Sequence, residues 1–287
     1  MPNAFSRSWE ITKLSFSVIR QDKELLLFPF LAGIFSITFI LAMLFPTLIA
    51  LVFKGIGMRS AGALQYALWF VAYFGLAFIA TFFNVCVVYT AKVRFKGGNA
   101  TFWESIKFAL SRIHLIFYWS ILSATMGIIL RILDNMAERA GKGGKILLGI
   151  LSSVLGMAWS IITIFVVPGM VYNNLGPIGA IKKSMQILRK TWGESLIRHF
   201  GLGLVELVFF VAGIIIAIPL VLVAIGMGIY GILFAVLLII IYFITVGIVF
   251  SIANSIFNTA LYVYADTGKI PKGYSKDVMA NAFKSRK

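Results

Sequence analysis

The chain has 287 residues, 60% of them hydrophobic and 13% charged, against about 45–50% apolar and 25% charged in an average soluble domain. One water-soluble globule of this length cannot hold so much apolar surface without exposing broad patches, so a soluble domain is excluded and lipid is the expected solvent. Twenty-six Lys and Arg against ten Asp and Glu give +16, but the placement of these charges along the chain predicts no nucleic-acid role.

The first 24 residues are polar and charged, with no short apolar core before a small-residue cleavage site, so no cleavable signal peptide is predicted. Six apolar stretches long enough to cross a hydrocarbon core then follow, over approximately 26–53, 64–91, 113–133, 146–172, 200–225 and 229–262. The predicted class is all-α, a polytopic membrane protein forming one integral domain over 1–287. Pro46, Pro168 and Pro219 interrupt three spans, each removing a helix donor and permitting a kink. Asn173-Asn174-Leu175-Gly176-Pro177 is expected to end the fourth span.

Basic residues in short loops set the orientation. With the N-terminus inside, the cytoplasmic side holds Arg7, Lys13, Arg20 and Lys23, then Lys92, Arg94, Lys96, Lys107 and Arg112. It also holds Lys182, Lys183, Arg189, Lys190 and Arg198, then Lys269, Lys272, Lys276, Lys284, Arg286 and Lys287. That is twenty, against six on the other side (Lys54, Arg59, Arg131, Arg139, Lys142 and Lys145), which predicts a cytoplasmic membrane protein with both termini inside.

A basic amphipathic segment precedes each odd-numbered span: AFSRSWEITKLSF, TFWESIKFALSRI and AIKKSMQILRKTW. With Ser8, Ser105 and Ser184 aligned, the apolar positions are Phe5, Phe102 and Ile181; Trp9, Ile106 and Met185; and Phe16, Ile113 and Trp192. These offsets share one helical face, extended by Thr12, Ala109 and Leu188. The expectation is three cytoplasmic interfacial helices, apolar side in lipid or against the bundle and basic side toward headgroups, with Trp9, Trp103 and Trp192 as anchors. Aligning Asn84 with Asn258 also matches Phe83 to Phe257 and Ala91 to Ala265. A three-fold internal repeat follows, with units of approximately 1–96, 97–175 and 176–266 and a basic tail over 267–287.

The opening RSWEITKLSFSVIRQDKELLLFPF resembles the N-terminal signature of a family of six-span prokaryotic membrane proteins of unknown function. More distantly, Pro168 with Ala180-Ile181-Lys182-Lys183-Ser184 is similar to the membrane domain fused to some glycerophosphodiester phosphodiesterases, although the hydrolase domain with its acidic metal ligands is absent from this sequence. The resemblance implies a fold and no reaction.

Glu206 is the sharpest single residue, placed some seven residues past His199 on the same face of the fifth span and about 10 Å deeper. A carboxylate at such depth should face the bundle, pair or take up a proton, so Glu206 with His199 is either an intramembrane proton or cation site or a neutral helix fastener. Asn254 and Asn258 at i, i+4, amid Ser251, Ser255 and Thr259, form a polar stripe that with Asn84 lines a cavity or bonds helix to helix. Arg131 and Asp134 are expected to form an ion pair.

Gly226-Met227-Gly228-Ile229-Tyr230-Gly231 matches the dinucleotide fingerprint literally, but it falls between two spans with no strand before it. The sequon Asn99-Ala100-Thr101 falls on the predicted inner side and should be unused. A single cysteine, Cys86, and two histidines leave redox and metal chemistry almost nothing to use. No cofactor, metal site or enzymatic activity is predicted. The leading expectation is a protein that binds anionic lipid through Arg7, Lys13, Lys107, Arg112, Lys182, Lys183, Arg189 and Lys190, or a membrane partner. The alternative is a small-solute or ion transporter using Glu206 and the Asn84, Asn254 and Asn258 amides, and a homo-oligomer or larger membrane complex fits either.

Overall fold

A computed structural model describes residues 4–54, 62–191 and 202–274. Among the described residues the structure is helical without strands: α1 (Ala4–Gln21), α2 (Leu27–Lys54), α3 (Gly62–Phe95), α4 (Phe102–Ser111), α5 (Ile113–Arg139), α6 (Lys142–Ile162), α7 (Val166–Asn173), α8 (Pro177–Thr191), α9 (Gly203–Gly226) and α10 (Gly228–Thr267). Among the described residues six spans are long and apolar enough to cross a membrane: Lys23–Phe45, Tyr66–Phe95, Ile113–Arg139, Lys142–Asn173, Val205–Gly226 and Gly228–Thr267. Only 11% of the most apolar window of the first, fifth and sixth is buried, so these stretches need a lipid solvent to be stable. At 1.5 Å per residue the 40-residue α10 runs ~60 Å, about twice a hydrocarbon core. Its burial is concentrated in the half that contains Phe250, Ile252, Ala253, Ile256, Phe257, Ala260, Leu261 and Tyr262.

The chain divides into two compact units. The first comprises Met1–Pro29, Ala91–Asn99 and Lys190–Lys287. Within it α1 lies on α9 and α10, and Phe16 meets the edge of the Phe250 ring at 5.7 Å in a cluster with Val205, Phe210, Tyr242 and Val246. The α9 and α10 helices are joined by a tight turn in which Gly228 takes φ +74°, so the glycine-rich hexapeptide is a helix connection, as expected. Gly213 lets them approach: a Cβ there would collide with the Tyr242 ring, and Tyr242 Oη donates to the Phe209 carbonyl at 2.8 Å. That bond satisfies a phenol that lipid could not.

The second unit comprises Phe30–Thr90 and Ala100–Arg189. Its α4 opens with a capping box, Thr101 Oγ1 accepting from the Glu104 amide and Glu104 Oε2 from the Thr101 amide. The α5 and α6 helices pack with Trp119 and Trp159 stacked at 5.7 Å. Of the three prolines, Pro168 coincides with a break: the helix stops at Ile162 and resumes at Val166. Proline at 168 removes the donor to the Ile164 carbonyl and crowds it. Positions 46 and 219 lie inside the continuous α2 and α9. Asn174 ends α7 in the left-handed conformation at φ 53°, and Pro177 opens α8, so the Asn173–Pro177 turn is found where the sequence predicts it.

The three amphipathic segments are helical, and of the predicted face Thr12, Ala109 and Leu188 are buried while the bulkier positions are less so. The buried positions are Ile11, Thr12, Ser15, Val18 and Ile19 in α1, Ser105 and Ala109 in α4, and Ala180, Ser184, Ile187 and Leu188 in α8. Phe102, Ile106, Ile181 and Met185 are only half-buried, and Trp9 and Ile113 are exposed. Small and hydroxyl-bearing residues among them allow near approach and carry hydrogen bonds inward. Ser105 Oγ pairs with Thr90 Oγ1 at 2.8 Å. Ser184 Oγ accepts the Phe165 amide at 3.4 Å, next to the Pro168 break.

Candidate functional site

Glu206 occupies the first turn of α9, which begins at Gly203, so it sits at the edge of the fifth span and not one or two turns inside it. A carboxylate there complements the helix dipole, which removes much of the cost that depth would impose. It is half-buried, and neither cavity described below is lined by it. His199 lies outside the described residues. Asn254 and Asn258 are half-buried neighbours on α10 in the first unit; Asn84 is half-buried on α3 in the second. Thr259 donates to the Ser255 carbonyl at 2.6 Å within α10, a local use of that stripe.

The basic positions differ in their surroundings. Lys13, Lys107, Lys182 and Arg189 are exposed, Lys183 is half-buried, and the side chains of Arg7 and Lys190 lie outside what is described. Lys13 Nζ lies 5.5 Å from the Trp9 ring centroid one turn away on α1. Arg112 is turned into the protein: its Nη1 donates to Asn174 Oδ1, its guanidinium lies over Phe108, and Nε is buried. Arg131 and Asp134 do not pair with each other. The Arg131 guanidinium lies 4.5 Å from the Trp69 ring centroid, and Asp134 accepts from Ser152 Oγ at 2.6 Å across α5 and α6. Each side chain has a nearer partner on a neighbouring helix than on its own.

The most organised polar cluster was not singled out by sequence. Asp22, 5% exposed, terminates α1 with a non-helical backbone and sends its carboxylate to Arg94 in the last turn of α3. Arg94 Nε donates to Asp22 Oδ2 and Nη2 lies on Oδ1, both at 2.6 Å, a bidentate pairing. Nη2 also donates to Asn99 Oδ1 at 2.7 Å and to the Gln21 carbonyl at 3.3 Å. Beyond Arg94 the helix ends in a Schellman motif, Gly98 N donating to the Val93 carbonyl and Gly97 N to the Arg94 carbonyl, with Gly97 at φ +87°.

A cavity of about 320 Å³ opens beside this cluster, lined by Val18, Gln21, Arg94, Gly97, Lys272 and Gly273. Its Lys272 comes from the segment after α10, which is tied down by Tyr274. Ser15 Oγ and Tyr274 Oη share a buried hydrogen bond of 3.0 Å, and Phe95 and Phe257 pack against the Tyr274 ring. Burial holds the Tyr274 phenol well above its ordinary pKa, while the Ser15 bond acts weakly the other way. A second cavity, about 190 Å³ and apolar, lies between α9 and α10 beside Gly213 and Tyr242.

Six apolar helices and their polar junctions define an all-α polytopic membrane protein. A family model described as a family of unknown function (DUF6159) matches residues 63–272, well over half of the chain. The chain belongs to that family. No curated protein matches it. The opening Arg7–Pro29 signature lies outside the matched residues, and neither finding supports a likeness to the phosphodiesterase membrane domain.

Proposed function

We infer that this protein is a non-enzymatic membrane protein that holds anionic lipid against the basic faces of α1, α4 and α8 on the cytoplasmic side. The observation that carries the reading is the two-sidedness of these helices: Thr12, Ser105, Ala109, Ser184 and Leu188 are buried, while Lys13, Lys107, Lys182 and Arg189 are exposed. Each helix lies next to the end of an apolar span, so its exposed cations stand near the depth of lipid headgroups. Each Lys or Arg near an anionic leaflet contributes about 1 kcal/mol. Three such faces, in a three-fold repeat of helix and hairpin, would gather acidic lipid around the protein.

The test compares the wild-type chain with a variant in which Lys13, Lys107, Lys182 and Arg189 are all changed to Gln, each in mixed phosphatidylglycerol and phosphatidylcholine bilayers. Native mass spectrometry of the gently extracted protein counts retained lipids. The expected outcome is a several-fold loss of phosphatidylglycerol over phosphatidylcholine enrichment in the variant; equal enrichment in both proteins would overturn the reading.

A further inference from the structure

We propose that the cavity between the end of α1, the end of α3 and the segment after α10 is a binding site for the phosphate group of an anionic ligand, held by Lys272 and the free edge of the Arg94 guanidinium. Arg94 has five N–H donors, and its acceptors Asp22, Asn99 and Gln21 engage Nε and Nη2. The Nη1 nitrogen has no acceptor among the described residues. The guanidinium is thereby fixed in orientation with one edge left to a ligand.

Asp22 commits both carboxylate oxygens to Arg94, so the positive balance of the cavity is supplied by Lys272. Its ammonium lies over Gly97, close enough that a Cβ on that residue would come within 3.1 Å of Nζ. The backbone at φ +87° favours glycine there, and the missing side chain leaves room for the lysine. A fixed guanidinium edge and a mobile ammonium suit a tetrahedral oxyanion, the first by directed N–H bonds and the second as a point charge.

Size and position restrict the ligand further. About 320 Å³ gives room for a phosphate with a small substituent. The three lining segments adjoin the start of the first span and the ends of the second and sixth, where the phosphates of lipid headgroups also lie. The shared chemistry is a phosphate mono- or diester, either free in solution or on a lipid. This site is separate from the basic faces of α1, α4 and α8, so the variant with those four charges removed should keep it.

The experiment uses the full chain in phosphatidylcholine nanodiscs at about 0.15 M salt, where diffuse attraction is screened beyond ~8 Å. One arm titrates inorganic phosphate and glycerol 3-phosphate calorimetrically; the other adds phosphatidic acid to the bilayer and counts retained lipid by native mass spectrometry. Saturable one-to-one binding is expected, to soluble phosphates if the ligand is free and to phosphatidic acid alone if it is a headgroup. Lys272→Gln should weaken that binding about tenfold, Lys272→Arg should restore it, and Lys269→Gln, outside the cavity, should leave it unchanged. No saturable binding in either arm, or equal losses from Lys272→Gln and Lys269→Gln, would overturn the proposal.

Discussion

At the scale of single residues, two of the buried polar contacts of this chain join partners far apart in sequence. Asp22 and Arg94 are 72 positions apart and Ser15 and Tyr274 are 259 apart, yet each pair is buried at least on one side. For the second pair the two single substitutions are not equivalent. In Tyr274→Phe the orphaned Ser15 hydroxyl can turn to a carbonyl of its own helix, which limits the loss to about 1 kcal/mol. In Ser15→Ala the Tyr274 hydroxyl keeps its burial and loses its partner, and the loss is about 1–3 kcal/mol. Thermal unfolding of the two single variants and the double variant in detergent is expected to show that order, with the double variant losing less than the sum. The pH dependence has a definite sign. Because burial raises the folded-state phenol above its ordinary value, its contribution is fully present below about pH 10 and is lost as pH climbs beyond it. The fall in midpoint between pH 9 and pH 11 should therefore be steeper in the wild type than in Tyr274→Phe.

At the scale of elements, hydrophobicity and turn chemistry were legible in the sequence, while side-chain pairing between helices was not. The spans stand out because a run of 20 apolar residues has one stable use. The turn at Asn173–Pro177 stands out because Asn tolerates the left-handed conformation and Pro opens a helix. Of the faces predicted for α1, α4 and α8, the positions Thr12, Ala109 and Leu188 are buried as expected, while the pattern, which weighs bulk, left out Ser15, Ser105 and Ser184, which are buried too. Thr101 and Glu104 carried a readable signal, the T-x-x-E capping box that fixes the start of α4. Nothing local marks Asp22 as the partner of Arg94. The one hint is scarcity, since ten acids among twenty-six bases make any acid at a span end a candidate for pairing. The break between α6 and α7 depends on both kinds of information: Pro168 is visible in sequence, and the Ser184 hydroxyl that receives the Phe165 amide is not. Ser184→Ala removes this contact and should cost about 1 kcal/mol. Adding Pro168→Ala removes the reason for the break, lets the helix run through and should recover part of the loss. A double variant no more stable than Ser184→Ala would show that the proline does not set the break.

At the scale of the whole molecule, the number of spans and the distribution of charge make linked but separable claims. If all six spans cross, the chain returns to the side on which it began, and both ends share a side whatever that side is. The twenty-to-six division of Lys and Arg predicts that this side is the cytoplasm, because basic loops resist translocation. The α9–α10 turn at Gly226–Gly228 carries no Lys or Arg and follows a helix with none, so its placement relies on the charges elsewhere. A reporter fluorescent only in the cytoplasm is expected to work at the N-terminus and C-terminus. A phosphatase active only outside is expected to work when inserted at Met227, in the tight turn between the fifth and sixth spans. Activity of the phosphatase at the C-terminus with fluorescence at the N-terminus would mean an odd number of crossings and would remove one of the six helices from the membrane. Phosphatase activity at both ends would keep the six crossings and invert the charge rule, moving Arg94, Lys272 and the basic faces of α1, α4 and α8 to the outer leaflet together. The cavity chemistry would survive that inversion and its ligand would have to come from outside the cell, so the sidedness experiment determines which pool of phosphate the protein meets.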